Sequence, residues 1–286
     1  MPTIRLPSGA TINYRLGGKT GAETVVFINA LACDLHSWRA VEPAFADAYG
    51  TLCFDCRGQG DSDPLTEPHG PHQHASDVLE LIEALSLPSV HLVGSSSGGL
   101  IGLIAAGESS LAGRPQVVSA SAICSFIAAD AILKRVFASW RAALAAGPAL
   151  AFDVAAPWLW GRQTFSRDDP LLAGFRSAVT ASEPRSLTAL TGGLAAFTDA
   201  KKSLRAFDGP VLAAAGQDDR LTPLRYSHEI VEWAKHGVLV TLENAGHLAA
   251  VERPDIVARV VRGFIDRRDQ FMQPLDRDRG GGAAGG

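Results

Sequence analysis

Val90-His91-Leu92-Val93-Gly94-Ser95-Ser96-Ser97-Gly98-Gly99 sets a serine in a G-x-S-x-G frame, between an apolar run and a helix-compatible stretch. A strand turning sharply into a helix there would carry Ser96 at its apex, with glycines where side chains would crowd the turn. A serine hydroxyl becomes a useful nucleophile only when a base takes its proton and a third group orients that base. His247, in Glu243-Asn244-Ala245-Gly246-His247 after the last strand-like run, is the candidate base. The carboxylate should follow a strand between them, where Gly216-Gln217-Asp218-Asp219-Arg220-Leu221-Thr222-Pro223 lies. Asp219, four residues before the Pro223 that opens the next helix, is favoured; Asp218 reads as a turn residue and Asp130 is the minor alternative. The chemistry of such a trio is acyl transfer, with Ser96 attacking a carbonyl, His247 relaying the proton and Asp219 holding the imidazole. His69, His72, His74, His228 and His236 read as surface or capping residues.

Alternating strands and helices must position these groups. Thr3 to Leu6 and Ala10 to Leu16 fit an edge hairpin, and Thr24 to Asn29, Thr51 to Asp55, Val90 to Gly94 and Gln116 to Cys124 fit buried parallel strands. Helices are expected over Leu35 to Ala48, Gln73 to Leu85 and Ser97 to about Gly107. The rhythm resumes with strands Val211 to Ala215 and Val238 to Leu242, and with helices Pro223 to Lys235 and His247 to Arg267. Repeated β-α units imply an α/β fold with a mostly parallel sheet covered on both faces. Residues 125–207 are instead Ala-rich and helical, without strand-like runs, so 1–124 and 208–270 read as one core interrupted by a helical lid. Residues 271–286, ending in Gly-Gly-Gly-Ala-Ala-Gly-Gly, read as a flexible tail.

A chain of 286 residues with 47% hydrophobic and 20% charged residues can bury a large core. Its net charge of −4 argues against a nucleic-acid partner held by electrostatics. Ala84 to Gly107 lacks Asp, Glu, Lys and Arg over 24 residues, but its Pro88, His91 and serine-glycine centre do not suit a membrane span. The start, Met1-Pro2-Thr3-Ile4-Arg5, shows no secretory signal, and Cys33, Cys53, Cys56 and Cys124 are too scattered for a disulfide scaffold. Cys53 and Cys56 have C-x-x-C spacing at the end of a strand-like run, so reduced structural thiols in a cytoplasmic protein are expected rather than redox chemistry.

The order Ser96, Asp219, His247 resembles that of the α/β-hydrolase family. Asp55-Cys56-Arg57-Gly58-Gln59-Gly60-Asp61-Ser62 is similar to its D-x-R-G-x-G-x-S turn, and Gly246-His247 with Glu252-Arg253-Pro254 to its G-H…E-x-P segment. The resemblance implies an oxyanion hole made by two backbone N–H groups, one from Ser97 and one from the loop after Thr24 to Asn29. That loop, Asn29-Ala30-Leu31 with a downstream Asp34-Leu35-His36-Ser37-Trp38, resembles the 3-oxoadipate enol-lactonase branch; Leu31 would then supply the second donor while the Asn29 amide braces the loop, with Asn29 also a candidate substrate-binding residue. Haloalkane dehalogenases and epoxide hydrolases of this fold use an aspartate at the elbow, so Ser96 argues against both.

The expected activity is hydrolysis of a small or medium carboxylic ester or lactone, needing no cofactor and no metal. Trp158 and Trp160 would suit an apolar pocket wall in the lid, or else anchor lid to core. The alternatives are a thioesterase or acyltransferase using CoA- or carrier-bound acyl groups and, further off, a C–C bond hydrolase or a non-catalytic ligand-binding protein.

Overall fold

The computed structural model describes residues 1–112, 117–166 and 170–272. Among them, eight strands form one sheet: β1 (Thr3–Arg5), β2 (Thr11–Gly18), β3 (Thr24–Ile28), β4 (Gly50–Phe54), β5 (Val90–Ser95), β6 (Val117–Ile123), β7 (Pro210–Gly216) and β8 (His236–Leu242). The spatial order is β1-β2-β4-β3-β5-β6-β7-β8. β1 and β2 pair antiparallel, as does β2 with β4, and every later pairing is parallel. This is the expected α/β architecture.

The sheet is covered on both faces: β3, β5 and β7 are buried at every position rather than at alternate ones, and most of their residues are apolar. Val26 and Ile28 of β3 pack with Val78, Leu81 and Leu100 on one face. Those partners come from α1 (Pro71–Ala84) and α2 (Ser97–Leu111). Val25 and Phe27 face the other way, toward Trp38, Phe45 and the Val257, Val261 and Phe264 stripe of α11 (Pro254–Ile265). Each such buried side chain contributes roughly 1.5–3 kcal/mol.

Two expected helices are broken, both by proline. Leu35 to Ala48 resolves into two short 3-10 turns, Leu35–Trp38 and Glu42–Ala44, since Pro43 offers no N–H to continue a helix. His247 to Arg267 divides into α10 (Ala249–Glu252) and α11, because Pro254 pushes Arg253 off helical geometry to φ −135°, ψ 57°.

After β6 the chain forms α3 (Ala131–Ala146), α4 (Pro148–Leu159), α5 (Arg162–Ser166), α6 (Pro170–Ala181) and α7 (Pro184–Ala196), and then α8 (Lys201–Ala206), with α9 (Arg225–Trp233) between β7 and β8. Helix α8 packs back on α2, with Leu204 in the main core and the Ser203 carbonyl against Gly107. Phe271, expected in the tail, stacks on Phe264 at 5.4 Å; residues 273–286 of that tail, and Gln116 of the expected sixth strand, lie outside the described residues. No helix among the described residues is long and apolar enough to cross a membrane, and Ala84 to Gly107 supplies the end of α1, β5 and most of α2.

Candidate active site

Strand β5 ends at Ser95 and α2 starts at Ser97, so one residue makes the turn. Ser96 takes φ 53°, ψ −120°, a left-handed conformation that a residue with a Cβ adopts only under strain. The flanking glycines are steric necessities: a Cβ on Gly94 would sit 2.1 Å from the Gly98 carbonyl oxygen, and one on Gly98 would sit 2.3 Å from that of Ile28. The turn is further pinned by the Ser125 hydroxyl, which donates to the Ser96 carbonyl at 2.7 Å.

The loops after β7 and β8 lie side by side, joined by the Asp218 N–H to the Ala245 carbonyl at 2.8 Å. They bring Asp219 and His247 to Ser96. His247 Nδ1 lies 3.0 Å from Asp219 Oδ2 and 3.2 Å from Oδ1, and His247 Nε2 lies 2.7 Å from Ser96 Oγ. An ionised carboxylate only accepts hydrogen bonds, so Nδ1 carries the imidazole proton and Nε2 is left to accept from the serine hydroxyl. All three residues are buried. Burial raises the Asp219 carboxyl, but the His247 charge and hydrogen bond, with the Thr222 N–H and hydroxyl, outweigh it and hold the group below the usual carboxylate range.

Asp219 is fixed by more than the histidine. Its Oδ1 accepts from the N–H groups of Leu221 and Thr222, both at 2.9 Å, and the Thr222 hydroxyl donates to Oδ2 at 2.8 Å. Thr222 is fully buried and lies 3.1 Å from His247 Nδ1, a role not anticipated from the sequence. Its only signal there is the Asp-x-x-Thr spacing. Asp218 stays half-exposed, whereas Asp130 caps α3 through the Leu133 N–H and accepts from the Tyr226 hydroxyl.

Glu252 ties the histidine loop to the helical cover: it accepts from Gly246 N at 3.0 Å, Gly161 N at 2.9 Å and the Thr164 hydroxyl at 2.7 Å. Burial raises its carboxyl despite those three donors. The Asp55 turn performs a similar task on the other side. Buried Asp55 accepts from Leu35 N and Asn13 Nδ2, each at 2.7 Å, and from Asp61 N at 3.0 Å, which moors the start of the 3-10 segment beyond Leu31.

Asn29 is fully buried beneath the loop after β3 rather than on the cavity wall, which corrects its expected place among substrate-contacting residues. Its Nδ2 donates to the Phe54 carbonyl at 2.8 Å and its Oδ1 accepts from the Trp38 indole at 3.0 Å, so its amide is consumed in bracing. Leu31 lines the cavity beside Ser96, and Ser97 opens α2, where first-turn N–H groups lack helical acceptors.

An apolar cavity of about 720 Å³, counting its mouth, opens over Ser96 and His247. Phe126, Phe137, Trp140, Phe152 and Phe175 form its aromatic wall. Trp158 and Trp160 are not among the described lining residues. Trp160 is fully buried one layer back, against Phe152, Val179 and Leu248, and Trp158 is half-buried against the main core. Trp140 takes the place expected of them: Leu133, Phe137, Trp140 and Leu144 share one inward face of α3 at helical spacing.

The four cysteines are free and buried. Burial pushes the thiols of Cys33, Cys53 and Cys56 up to about 12, the opposite of redox activation. His74, expected at the surface, is buried instead, and desolvation lowers it to about 3. His69, His74 and Asp77 cluster closely enough to share a cation, but Asp77 is already occupied by Arg57.

Residues 23–254 match the model of the alpha/beta hydrolase fold family, and the chain belongs to that family. It is 27% identical over 259 residues to 3-oxoadipate enol-lactonase 2 of Acinetobacter baylyi, covering 90% of this chain and 93% of the relative. In fold it is similar to the enol-lactonase of Burkholderia xenovorans LB400, with a TM-score of 0.84, 21% identity and coverage of 93% of this chain and 100% of that one. A thermophilic esterase from Thermogutta terrifontis follows at a TM-score of 0.83 and 20% identity, with 93% and 98% covered. At those identities the two structures speak to the fold alone.

Proposed function

We propose that the protein is a serine hydrolase of small or medium carboxylic esters or lactones, working through an acyl-enzyme. Ser96 attacks the carbonyl carbon while His247 Nε2 takes its proton; His247 then protonates the leaving alkoxide, and a water activated by the same nitrogen releases the acid. Asp219 keeps Nδ1 protonated and steadies the imidazolium that forms in each step. The N–H groups of Leu31 and Ser97 stabilise the tetrahedral oxyanion, and the helices of 125–207 act as a lid that keeps bulk water from the intermediate. Buried free thiols fit a reducing, cytoplasmic setting.

The observation that carries this reading is the continuous chain of contacts from Ser96 Oγ through both nitrogens of His247 to Asp219, set in a strained turn under a cavity. The name of the enol-lactonase relative agrees with an ester-type bond. The test is labelling with a fluorophosphonate followed by peptide mapping, alongside turnover of p-nitrophenyl butyrate. Label confined to Ser96, and turnover lost in Ser96→Ala, are expected; a folded protein that hydrolyses the ester but labels elsewhere would refute the assignment.

A further inference from the structure

The chemistry of the cavity wall narrows the substrate in a way the catalytic trio does not. Among the described lining residues only Ser96, His247, Thr191 and, through its indole N–H, Trp140 carry polar side-chain atoms, and none of these is a standing cation. The Thr191 hydroxyl is turned back on carbonyls of its own helix, Leu187 at 2.8 Å and Thr188 at 3.0 Å. Everything else is aliphatic or aromatic.

The lid sequence creates this exclusion of charge. Helix α3 turns its apolar face inward, while its Lys134, Arg135 and Arg141 remain half-buried or exposed outside the cavity lining. Arg176 lies over a lining ring, Phe152, but its side chain is 48% exposed and paired with Asp153. Arg220, adjacent to Asp219, is exposed and donates to the Pro157 carbonyl at 2.9 Å. No guanidinium or ammonium among the described residues lines the cavity.

A carboxylate entering this space would lose its hydration and meet no cation along the wall, only neutral N–H donors such as the unpaired Trp140 indole, a penalty that neutral groups of equal size escape. The adjoining cleft, which shares Ala32, Phe175 and Leu187 with the cavity, does not supply a counter-charge either: Asp34, Asp61 and Glu183 line it against a single arginine, Arg39. Resting on the hydrolase reading above, we infer that the group bound beside Ser96 is uncharged and apolar, an aliphatic or aryl acyl chain or an unsubstituted lactone ring. This separates the chain from its enol-lactonase relative. 3-Oxoadipate is a dicarboxylate, and closing its enol-lactone uses one carboxyl and leaves the other ionised.

Three matched esters test the inference: p-nitrophenyl hexanoate, the p-nitrophenyl monoester of adipic acid, and that monoester with its free carboxyl methylated. Capping changes charge with little change of length. The hexanoate and the capped diester should react with kcat/KM within about tenfold of each other, and the free acid about 100-fold or more below the capped form, each factor of ten being about 1.4 kcal/mol. Calorimetric titration of Ser96→Ala with the same compounds should show the capped diester binding at least about 30-fold more tightly than the free acid. Free acid and capped diester within threefold of each other, in turnover or in binding to Ser96→Ala, would overturn the inference while leaving the hydrolase reading intact. Absence of turnover on all three, with no fluorophosphonate label at Ser96, would refute the hydrolase reading instead, and the Ser96→Ala affinities would still decide the charge preference.

Discussion

Replacing Ser96 with glycine should make the protein more stable than replacing it with alanine, although both changes abolish catalysis. At φ 53°, ψ −120° the Cβ of residue 96 crowds its own backbone, a conformation that costs roughly 1–3 kcal/mol for a residue other than glycine. Both variants lose the same 2.7 Å contact between Ser96 Oγ and His247, so that loss cancels in the comparison. Alanine retains the Cβ and therefore the strain. Glycine removes it, at a cost of about 0.5–1 kcal/mol from the greater freedom of the unfolded chain. The net expectation is that Ser96→Gly exceeds Ser96→Ala by about 1 kcal/mol. Urea unfolding followed by tryptophan fluorescence measures the difference, read as a higher midpoint with an unchanged slope. A glycine variant no more stable than the alanine variant would refute the claim that the elbow stores strain.

Three further outcomes follow from buried groups. Asn29→Ala should destabilise the fold by about 2–4 kcal/mol and lower kcat, since it strands the Phe54 carbonyl and the Trp38 indole N–H together; denaturant unfolding and ester kinetics check both effects. Desolvation lowers the imidazoles of His74 and His91 to about 3 and about 4, so between pH 6.5 and 4 the unfolded chain binds protons that the folded one does not. Stability should therefore fall as the pH drops through that window, by up to about 3 kcal/mol for His91 alone, and His91→Gln should flatten the dependence in unfolding curves taken at several pH values. All four thiols should resist a disulfide reagent at pH 8 until the protein is unfolded, and rapid labelling of native Cys53 or Cys56 would contradict their burial.

The sheet was readable in the sequence because its strands are short apolar runs ended by turn residues, and parallel strands buried on both faces leave that pattern. The loops bearing Ser96, Asp219 and His247 were readable for a related reason, as each follows the end of such a strand. What escaped depends on geometry that period and spacing do not encode. Thr222 matters because its hydroxyl points at a carboxylate three residues back, whereas a turn threonine could equally face solvent. Trp140 in α3 and Trp160 just past the end of α4 both sit in apolar sequence, and only the packing of the helices puts one on the cavity and the other behind it. His74 looks like a polar first-turn residue until α1 is docked on the core, which buries that face of the helix.

The most direct measurement is the mass of the protein trapped during turnover. Acid quenching in the first second of reaction with p-nitrophenyl hexanoate, followed by intact-mass and peptide analysis, should show one hexanoyl group on the peptide carrying Ser96. The adduct should be lost in Ser96→Ala, and far slower to form in His247→Ala. Steady hydrolysis with an acyl group on another residue, or undiminished hydrolysis by Ser96→Ala, would contradict nucleophilic catalysis by Ser96.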